Sequence, residues 1–237
     1  MTMITSPPRR SPAMPSPHPP TAFSGEQRIA IRGLSWDLYD RLSDAIGERQ
    51  HVYLAYDGKD LEIMTKGPVH EDYRALFGRL MNALTFELAI PSSDLGETTW
   101  KQSELARGLE ADQCYYFQTE KLAINAAARA RKSNDVADYP NPDLAIEIDI
   151  SPSQVDRPEI FAALQVAEVW RFDGESLTIE QLGPDGKYIT RESSRFLPIR
   201  TEEVVRWLVE EDVSDRLAWE RRLRAWIRAE LAPRLSS

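Results

Sequence analysis

The amino-acid sequence predicts an α/β fold of the α+β kind, in which helices flank a central mixed β-sheet. Short runs rich in β-branched and aromatic residues alternate along the chain with longer segments whose apolar residues recur at helical spacing. Helices and strands follow one another in an order that places a sheet between helices. With 237 residues the chain is long enough for one substantial core, and the sequence contains no internal repeat.

The chain divides into three predicted parts. Residues 1–25 are dense in proline and serine and hold few large apolar residues, so they cannot offset the entropy of ordering and are expected to be a disordered tail. Residues 26–212 form the predicted domain, and residues 213–237 form a charged C-terminal helix. The arginines of this helix could bind phosphates, but interspersed glutamates favour an ordinary solvated helix face.

Each element has a local signal. Ser35 is a candidate N-cap, the sequence DGKD separates two hairpin strands, and Pro140 and Pro142 fix the start of the best strand. The predicted helices cover 34–48, 69–89, 120–132, 157–166, 201–211 and 215–232, and the predicted strands cover 51–56, 61–65, 97–102, 113–118, 140–150, 167–173, 176–182 and 187–192.

The strand PDLAIEIDI carries an unusual row of carboxylates. Asp143, Glu147 and Asp149 occupy odd-numbered positions, so they point to one face of the strand, while leucine and isoleucine occupy the other. A half-exposed antiparallel strand would carry such a row harmlessly. The alternative is that the row belongs to a cation site.

Composition excludes several classes of function. The net charge of −9 and the pI near 5.0 have the wrong sign for a broad basic surface that grips nucleic acid, so any such contact must be local or bridged by metal ions. No apolar run approaches the roughly 20 residues that cross a bilayer, and no signal core is evident, so we expect a cytoplasmic protein without membrane contact.

Thiol and imidazole chemistry have little support. The single cysteine, Cys114, rules out a disulfide framework, and its apolar surroundings predict a packed core thiol. Three histidines are too few for an imidazole-rich metal site. Motifs of serine hydrolases, P-loop proteins, dinucleotide-binding proteins and zinc peptidases are absent from the sequence, and Ser151 and Ser153 are typical of a turn.

Two carboxylates are the strongest candidates for chemistry. Glu147 lies in mid-strand between two isoleucines, where an ionised group is costly unless it is paired or binds a cation. Asp112 stands where another strand begins. Converging carboxylates suit Mg²⁺ or Mn²⁺, which can activate water and neutralise a phosphate. Nuclease chemistry would follow.

Three further residues are weaker candidates. Arg157 begins the helix after the key strand, where it could stabilise charge on a phosphate or simply be a surface arginine. Glu62 could approach the same ion or face solvent in a hairpin. His70 could assist proton transfer or orient a phosphate, although a histidine at a helix start is more often a capping or packing residue.

Three blocks of the sequence occur in a distinctive order: LEIMTKGPVHEDYRALFGRLMNAL, TTWKQSELARGLEADQCYYFQ and PDLAIEIDISPSQVDRPEIFAALQVAEVWRFDG. In this order they closely resemble the Uma2 family of restriction-endonuclease-like proteins, and the resemblance covers roughly residues 30–210. It implies the PD-(D/E)XK fold, whose central mixed sheet carries an aspartate and a glutamate that bind Mg²⁺.

The family pattern carries over residue by residue, with two departures. The first acidic position falls on Asp112, preceded by Ala111 where proline is usual, and the second falls on Glu147, with Asp143 as the opening aspartate. The lysine expected two residues after Glu147 is replaced by Asp149. Members of the family supply a basic residue from the following helix, which Arg157 matches here.

The remaining implications concern function. The family's N-terminal acidic and histidine positions are similar to Glu62 and His70. The resemblance implies a Mg²⁺- or Mn²⁺-dependent endonuclease acting on DNA, and analogy with such nucleases makes a homodimer a reasonable partner arrangement. Because arginine cannot act as a base, the alternative is a nuclease fold that has lost catalysis and serves as a nucleic-acid- or protein-binding module.

Overall fold

The computed structural model describes residues 25–46, 52–96, 98–102 and 107–235, so the predicted tail lies almost entirely outside the described residues. Within them the chain forms eleven strands and six α-helices. The strands are β1 (Gln27–Ile31), β2 (Tyr53–Tyr56), β3 (Leu61–Thr65), β4 (Ser93–Asp94), β5 (Thr98–Gln102), β6 (Arg107–Ala111), β7 (Gln113–Tyr116), β8 (Leu144–Ile148), β9 (Glu168–Phe172), β10 (Leu177–Leu182) and β11 (Tyr188–Arg191). The helices are α1 (Trp36–Ile46), α2 (Pro68–Glu87), α3 (Thr119–Ala130), α4 (Arg157–Ala163), α5 (Thr201–Val205) and α6 (Arg216–Trp226).

The strands form two sheets. The first has the order β1-β3-β2-β6-β5 and is antiparallel throughout, and the second has the order β11-β10-β9-β8-β7-β4. In the second sheet β8 and β9 are parallel, because α4 carries the chain back across the sheet between them. The predicted mixed α/β architecture is therefore confirmed, although its strands divide between two sheets.

Asp112 marks the junction between the sheets. It separates β6, which belongs to the first sheet, from β7, which belongs to the second. One nearly continuous extended run thus serves both sheets, and its middle residue lies at the seam between them. This seam brings side chains from both halves of the molecule to one place.

The main core lies between α2 and the second sheet. Leu76, Phe77 and Leu80 of α2 pack against Ile146 of β8 and Trp170 of β9. Helix α6 and the π-helical segment that follows it, Ile227–Leu231, join this core through four apolar side chains at helical spacing, namely Trp219, Leu223, Ile227 and Leu231. The predicted charged C-terminal helix is thus packed into the same body as the rest of the chain. No helix among the described residues has the length and apolar character needed to span a bilayer.

The opposite face of the second sheet is covered by α4. Ile160 and Phe161 of this helix pack with Ala145 of β8 and Val169 of β9. Because β8 is covered on both faces, all five of its residues are buried. The predicted alternation holds along it, since Leu144, Ile146 and Ile148 join the α2 core while Ala145 faces α4.

Candidate active site

Glu147 is a fully buried carboxylate near the carboxyl end of β8. Its Oε2 atom pairs with the guanidinium of Arg157. Its Oε1 atom has no hydrogen-bond partner among the residues that the structure describes. A buried polar atom in this state costs free energy unless something binds it, so Oε1 is a position at which a ligand is expected.

Asp112 reaches the same end of β8 from the seam between the sheets. Its Oδ2 atom accepts a hydrogen bond of 2.7 Å from the backbone N–H of Ile148, the residue next to Glu147. The same oxygen lies 3.2 Å from His70 Nε2, and Oδ1 lies 2.6 Å from Lys66 Nζ. Asp112 therefore lies beside the residue that follows Glu147, at the same end of β8.

The cations around Asp112 keep it ionised. Burial acts to raise the pKa of this carboxyl, but the charge of Lys66 and the hydrogen bond and charge of His70 outweigh burial and hold the pKa well below its usual range. Asp112 is therefore a carboxylate throughout the physiological pH range. An ionised carboxylate is the form in which aspartate ligates a hard cation.

The turn between β3 and α2 positions Lys66 and His70. Gly67 is required there because the backbone of Gly25 lies 2.8 Å from where a Cβ atom would stand, and Pro68 then starts the helix. Lys66 also lies 3.2 Å above the ring of Tyr53. The sequence pattern predicted His70 but not Lys66, because a lysine in a turn carries no sequence signal of a role in a site.

Glu62 is held by the loop that follows β8. It accepts hydrogen bonds from the backbone N–H of Gln154 at 2.6 Å and from the Ser153 hydroxyl at 3.2 Å. Arg157 lies 3.3 Å from its Oε1 atom and so joins Glu62 to Glu147. Both glutamates are fully buried and Arg157 is nearly so, which excludes the surface interpretations of Glu62 and Arg157.

Arg28 is the central cation that sequence reasoning missed. It pairs with Glu26 at 2.9 Å, with Glu62 at 2.8 Å and with Asp149 at 2.8 Å. It also donates to the hydroxyl of Ser151, so that Ser151, like Ser153, supports the site from a loop. Arg28 comes from β1, an edge strand that was not predicted.

The pKa of Asp149 is shifted in the opposite direction from that of Asp112. Burial raises its pKa to about 6, and the charges of Asp112 and Glu62 act in the same direction while Arg28 opposes them. The carboxylates at this end of β8 therefore repel one another despite the cations between them. An additional positive charge would relieve that repulsion.

Asp143 does not belong to this group. It precedes β8, and the four residue-to-residue steps from it to Glu147 span about 13 Å along a strand. Its carboxylate accepts hydrogen bonds from the backbone N–H groups of Phe117 and Gln118 at 2.7 and 2.8 Å and pairs with Lys121 at 2.8 Å. The structure thus places Asp143, which was predicted as a metal ligand, at the start of α3 and away from Glu147.

The site suits a divalent cation by the type of its ligands. Asp112, Glu147 and Asp149 supply carboxylate oxygens, and Glu147 Oε1 is a buried acceptor without a partner among the described residues. Arg157 and Lys66 nevertheless stand between the acids. Within the described ranges, no three histidine, cysteine, aspartate or glutamate side chains cluster closely enough to hold a metal ion.

Two other candidates are explained by packing and pairing. Cys114 is fully buried against Trp100, and burial raises the pKa of its thiol to about 12, so it is the packed core thiol that was predicted. The arginines of α6 are largely paired with acids, as Arg224 is with Glu220 and Glu87. This pairing favours the solvated helix face over a phosphate site.

The family is decided by a comparison with protein-family models. Residues 36–218, most of the chain, match the model of the Uma2 family, described as "Putative restriction endonuclease". The chain belongs to the Uma2 family. This Uma2 protein has the mixed α/β architecture expected of a restriction-endonuclease-like fold, and membership places it among nuclease-like proteins. No curated protein matches its sequence.

The matched region contains the candidate site except for the strand that carries Arg28. Glu62, His70, Asp112, Glu147 and Arg157 all lie between residues 36 and 218. In this Uma2 protein the basic residue closest to Glu147 is Arg157, delivered by α4 as the resemblance implied. Lys66 supplies a second basic group, at Asp112.

Proposed function

We propose that this Uma2 protein is an endonuclease that hydrolyses phosphodiester bonds in DNA with the help of a divalent cation, Mg²⁺ or Mn²⁺. The observation that carries the proposal is the Oε1 atom of Glu147, buried and without a hydrogen-bond partner among the described residues. A cation bound to this oxygen would remove the cost of burying it. Family membership supports the choice of nuclease chemistry.

Asp112 and Glu147 would hold the cation, with Asp149 as a third carboxylate at the same end of β8. When bound, the cation supplies an activated water and neutralises charge on the phosphate. Arg157 positions Glu147 and Glu62 through its two ion pairs. Because a guanidinium stays protonated, Arg157 acts as a positive charge and not as a base.

The acidic composition limits how DNA can be bound. A net charge of −9 repels the phosphate backbone over most of the surface. The contact must therefore be confined to the region of Arg157 and its neighbours, and we expect weak binding that depends on the cation. Affinity should fall only moderately as salt is added, because a contact with few phosphates releases few counterions.

The test combines Mn²⁺ titration calorimetry with plasmid nicking on the wild type and on Glu147→Gln. We expect Mn²⁺ binding and nicking by the wild type, with nicking reduced at least about a hundredfold in Glu147→Gln, since metal-held charge stabilisation is worth several kcal/mol. Absence of both Mn²⁺ binding and nicking in the wild type would overturn the proposal.

Glu168→Gln is the matched control. Glu168 is equally buried and lies on the neighbouring strand β9, opposite Leu144 and thus at the far end of β8. Its oxygens accept hydrogen bonds from Trp170, Ser194, Gln181 and the backbone of Arg195. A folded Glu168→Gln protein should bind Mn²⁺ and nick DNA like the wild type.

One observation favours a second candidate function. Lys66 and Arg157 already neutralise Asp112 and Glu147, which is the arrangement expected if the fold has lost catalysis and serves as a nucleic-acid- or protein-binding module. In that case Glu147→Gln should bind DNA as the wild type does, with no requirement for a divalent cation. The same calorimetric samples, titrated with a short duplex, distinguish the two.

A further inference from the structure

A cleft of about 400 Å³ opens beside the candidate active site. Asp149 and Arg157, which belong to the ion-pair network of the site, also line this cleft. The cleft continues over β9 and β10, where Arg171, Ser176 and Thr178 line it. A ligand in the cleft would therefore touch the site at one end and the sheet at the other.

Strand register explains why these residues form a row. Glu147 on β8 lies opposite Arg171 on β9, and Arg171 lies opposite Thr178 on β10. Residues opposite one another on adjacent strands share a face and stand about 4.8 Å apart. Arg171 is thus the neighbour of Glu147 on the adjacent strand β9.

Arg171 has hydrogen-bonding capacity to spare. Its Nη2 atom pairs with Glu180 at 2.9 Å, and its Nε atom, which is buried, has no partner among the residues described. The side chain as a whole is partly exposed, so a ligand can reach the outer part of the guanidinium. A partly exposed guanidinium that lines a cleft is suited to binding a phosphate oxygen.

The acids of the cleft do not oppose an anion strongly. Asp149 is paired with Arg28. Asp173 directs its oxygens toward its own turn, where they accept from the backbone N–H groups of Glu175 and Ser176 and from the Ser176 hydroxyl. Arg157 and Arg171 are the positively charged residues that line the cleft, and each is paired with glutamate.

The cleft also has an apolar wall. Ile150, Pro152 and Val155 of the loop between β8 and α4 line it, together with Pro158 of α4. A cleft with both apolar residues and a guanidinium and hydroxyl groups matches the chemistry of a nucleotide, which has a weakly polar sugar and base and an anionic phosphate. The volume suits a ligand of about that size.

We infer that this cleft is the binding subsite for the nucleotide adjacent to the scissile phosphate, with Arg171 binding that nucleotide's phosphate. The inference rests on the proposed nuclease function for the identity of its substrate. It adds a residue, Arg171, that neither the sequence nor the family match singles out. It also explains how an acidic protein can contact DNA locally.

The experiment titrates thymidine 3′,5′-bisphosphate into the full-length chain by calorimetry, for the wild type, Arg171→Gln and Arg191→Gln. Arg191 is the matched control because it lies on β11 opposite Ile179, on the other face of the same sheet, and is exposed. We expect the wild type and Arg191→Gln to bind equally and Arg171→Gln to bind about tenfold more weakly. The slope of log affinity against log salt concentration should also decrease in magnitude by about one in Arg171→Gln.

The outcomes test the nucleotide subsite independently of the proposed nuclease function. Equal affinity in all three proteins, or no binding by the wild type, would overturn the subsite even if the wild type nicks plasmid DNA. Arg171-dependent binding without nicking would retain the subsite and remove the catalytic proposal. Inorganic phosphate is titrated in parallel, and an equal affinity for it would reduce the cleft to a simple anion site and overturn the nucleotide assignment.

Discussion

The two ends of β8 carry buried carboxylates of opposite character. At its start, Asp143 is held by two backbone N–H groups and by Lys121, a partly exposed lysine. Near its end, Glu147 is held by a buried arginine through one oxygen and keeps the other oxygen unbonded within the described part of the chain. Both carboxylates are completely buried.

The difference separates an acid whose hydrogen bonding is complete from the acid that we propose to be functional. Neutral amides satisfy Asp143 at low cost, because they fix the start of α3 while burying few charges. Glu147 lies in a network of acids and cations whose desolvation is expensive and which still leaves an acceptor without a partner. Burial alone does not distinguish the two residues, whereas the completeness of their hydrogen bonding does.

Among the cations that pair with these two carboxylates, we expect the replacement of Arg157 to lower the free energy of unfolding most. In Arg157→Ala, Glu147 and Glu62 lose a buried counter-charge, so the free energy of unfolding should fall by about 3–5 kcal/mol. Urea unfolding followed by circular dichroism measures the change. Mn²⁺ should restore more stability to Arg157→Ala than to the wild type, since the variant has one positive charge fewer at the site.

A loss of under 1 kcal/mol in Arg157→Ala would contradict this account of the site. It would mean that Glu147 takes up a proton or water at little cost and is not held in place by its ion pair. Equal Mn²⁺ effects on the two proteins would argue against a cation at Glu147.

Asp143→Asn should have an intermediate effect on stability. The amide retains one acceptor oxygen but loses the charge that pairs with Lys121 and strengthens the hydrogen bonds, so we expect a loss of about 2 kcal/mol at neutral pH. Nicking by the folded fraction should be unchanged, because Asp143 is far from Glu147. Urea titrations and nicking assays at a temperature well below the midpoint test both statements.

The pH dependence of the free energy of unfolding provides a second test of the role of Asp143. Burial acts to raise the pKa of Asp143, but the hydrogen bonds from Gln118, Lys121 and Phe117 lower it below its ordinary value. A lowered pKa contributes stability that is present above the unfolded-state value of about 3.9 and is lost as pH falls through the folded-state pKa. The stability difference between the wild type and Asp143→Asn should therefore shrink below about pH 4. A constant difference would contradict the assignment.

The smallest effect is expected at Lys121. Its side chain is partly exposed and Asp143 keeps its two backbone donors without it, so Lys121→Ala should cost about 0.2–1 kcal/mol. Measured under the same conditions as Arg157→Ala, it is the control for removing a cation from a β8 carboxylate. Comparable losses in the two variants would remove the contrast between the two ends of the strand.

The sequence predicted elements where periodic patterns are strong. The helices around 69–89 and 215–232 and the strands β8 and β9 carry long or strongly apolar patterns, and they are present in the structure. Strand β1 was missed because its five residues QRIAI leave Ile29 and Ile31 exposed at a sheet edge, and its pairing with β3 defines it. Strand β6 was missed because RGLEA has no strand-like composition.

The same limits apply to the site. Alternation along the predicted strand put Asp143 and Glu147 on one face. It gives no information on their separation along the strand, which is about 13 Å. Glu62, His70, Asp112 and Arg157 were selected because a carboxylate, histidine or arginine stood at an element boundary or in an apolar run. Arg28 and Lys66 had no such signal, since tertiary packing alone brings an edge strand and a turn to Asp149 and Asp112.

The position of Asp112 at the seam between the two sheets determines when the candidate active site can form during folding. Arg28 and Glu62 belong to the first sheet, Glu147 and Arg157 to the second sheet and its crossover helix, and Asp112 lies between the two sheets. A nascent chain in which one sheet has formed and the other has not carries only half of these groups. Under the nuclease function proposed above, cleavage would therefore begin only after both sheets have folded.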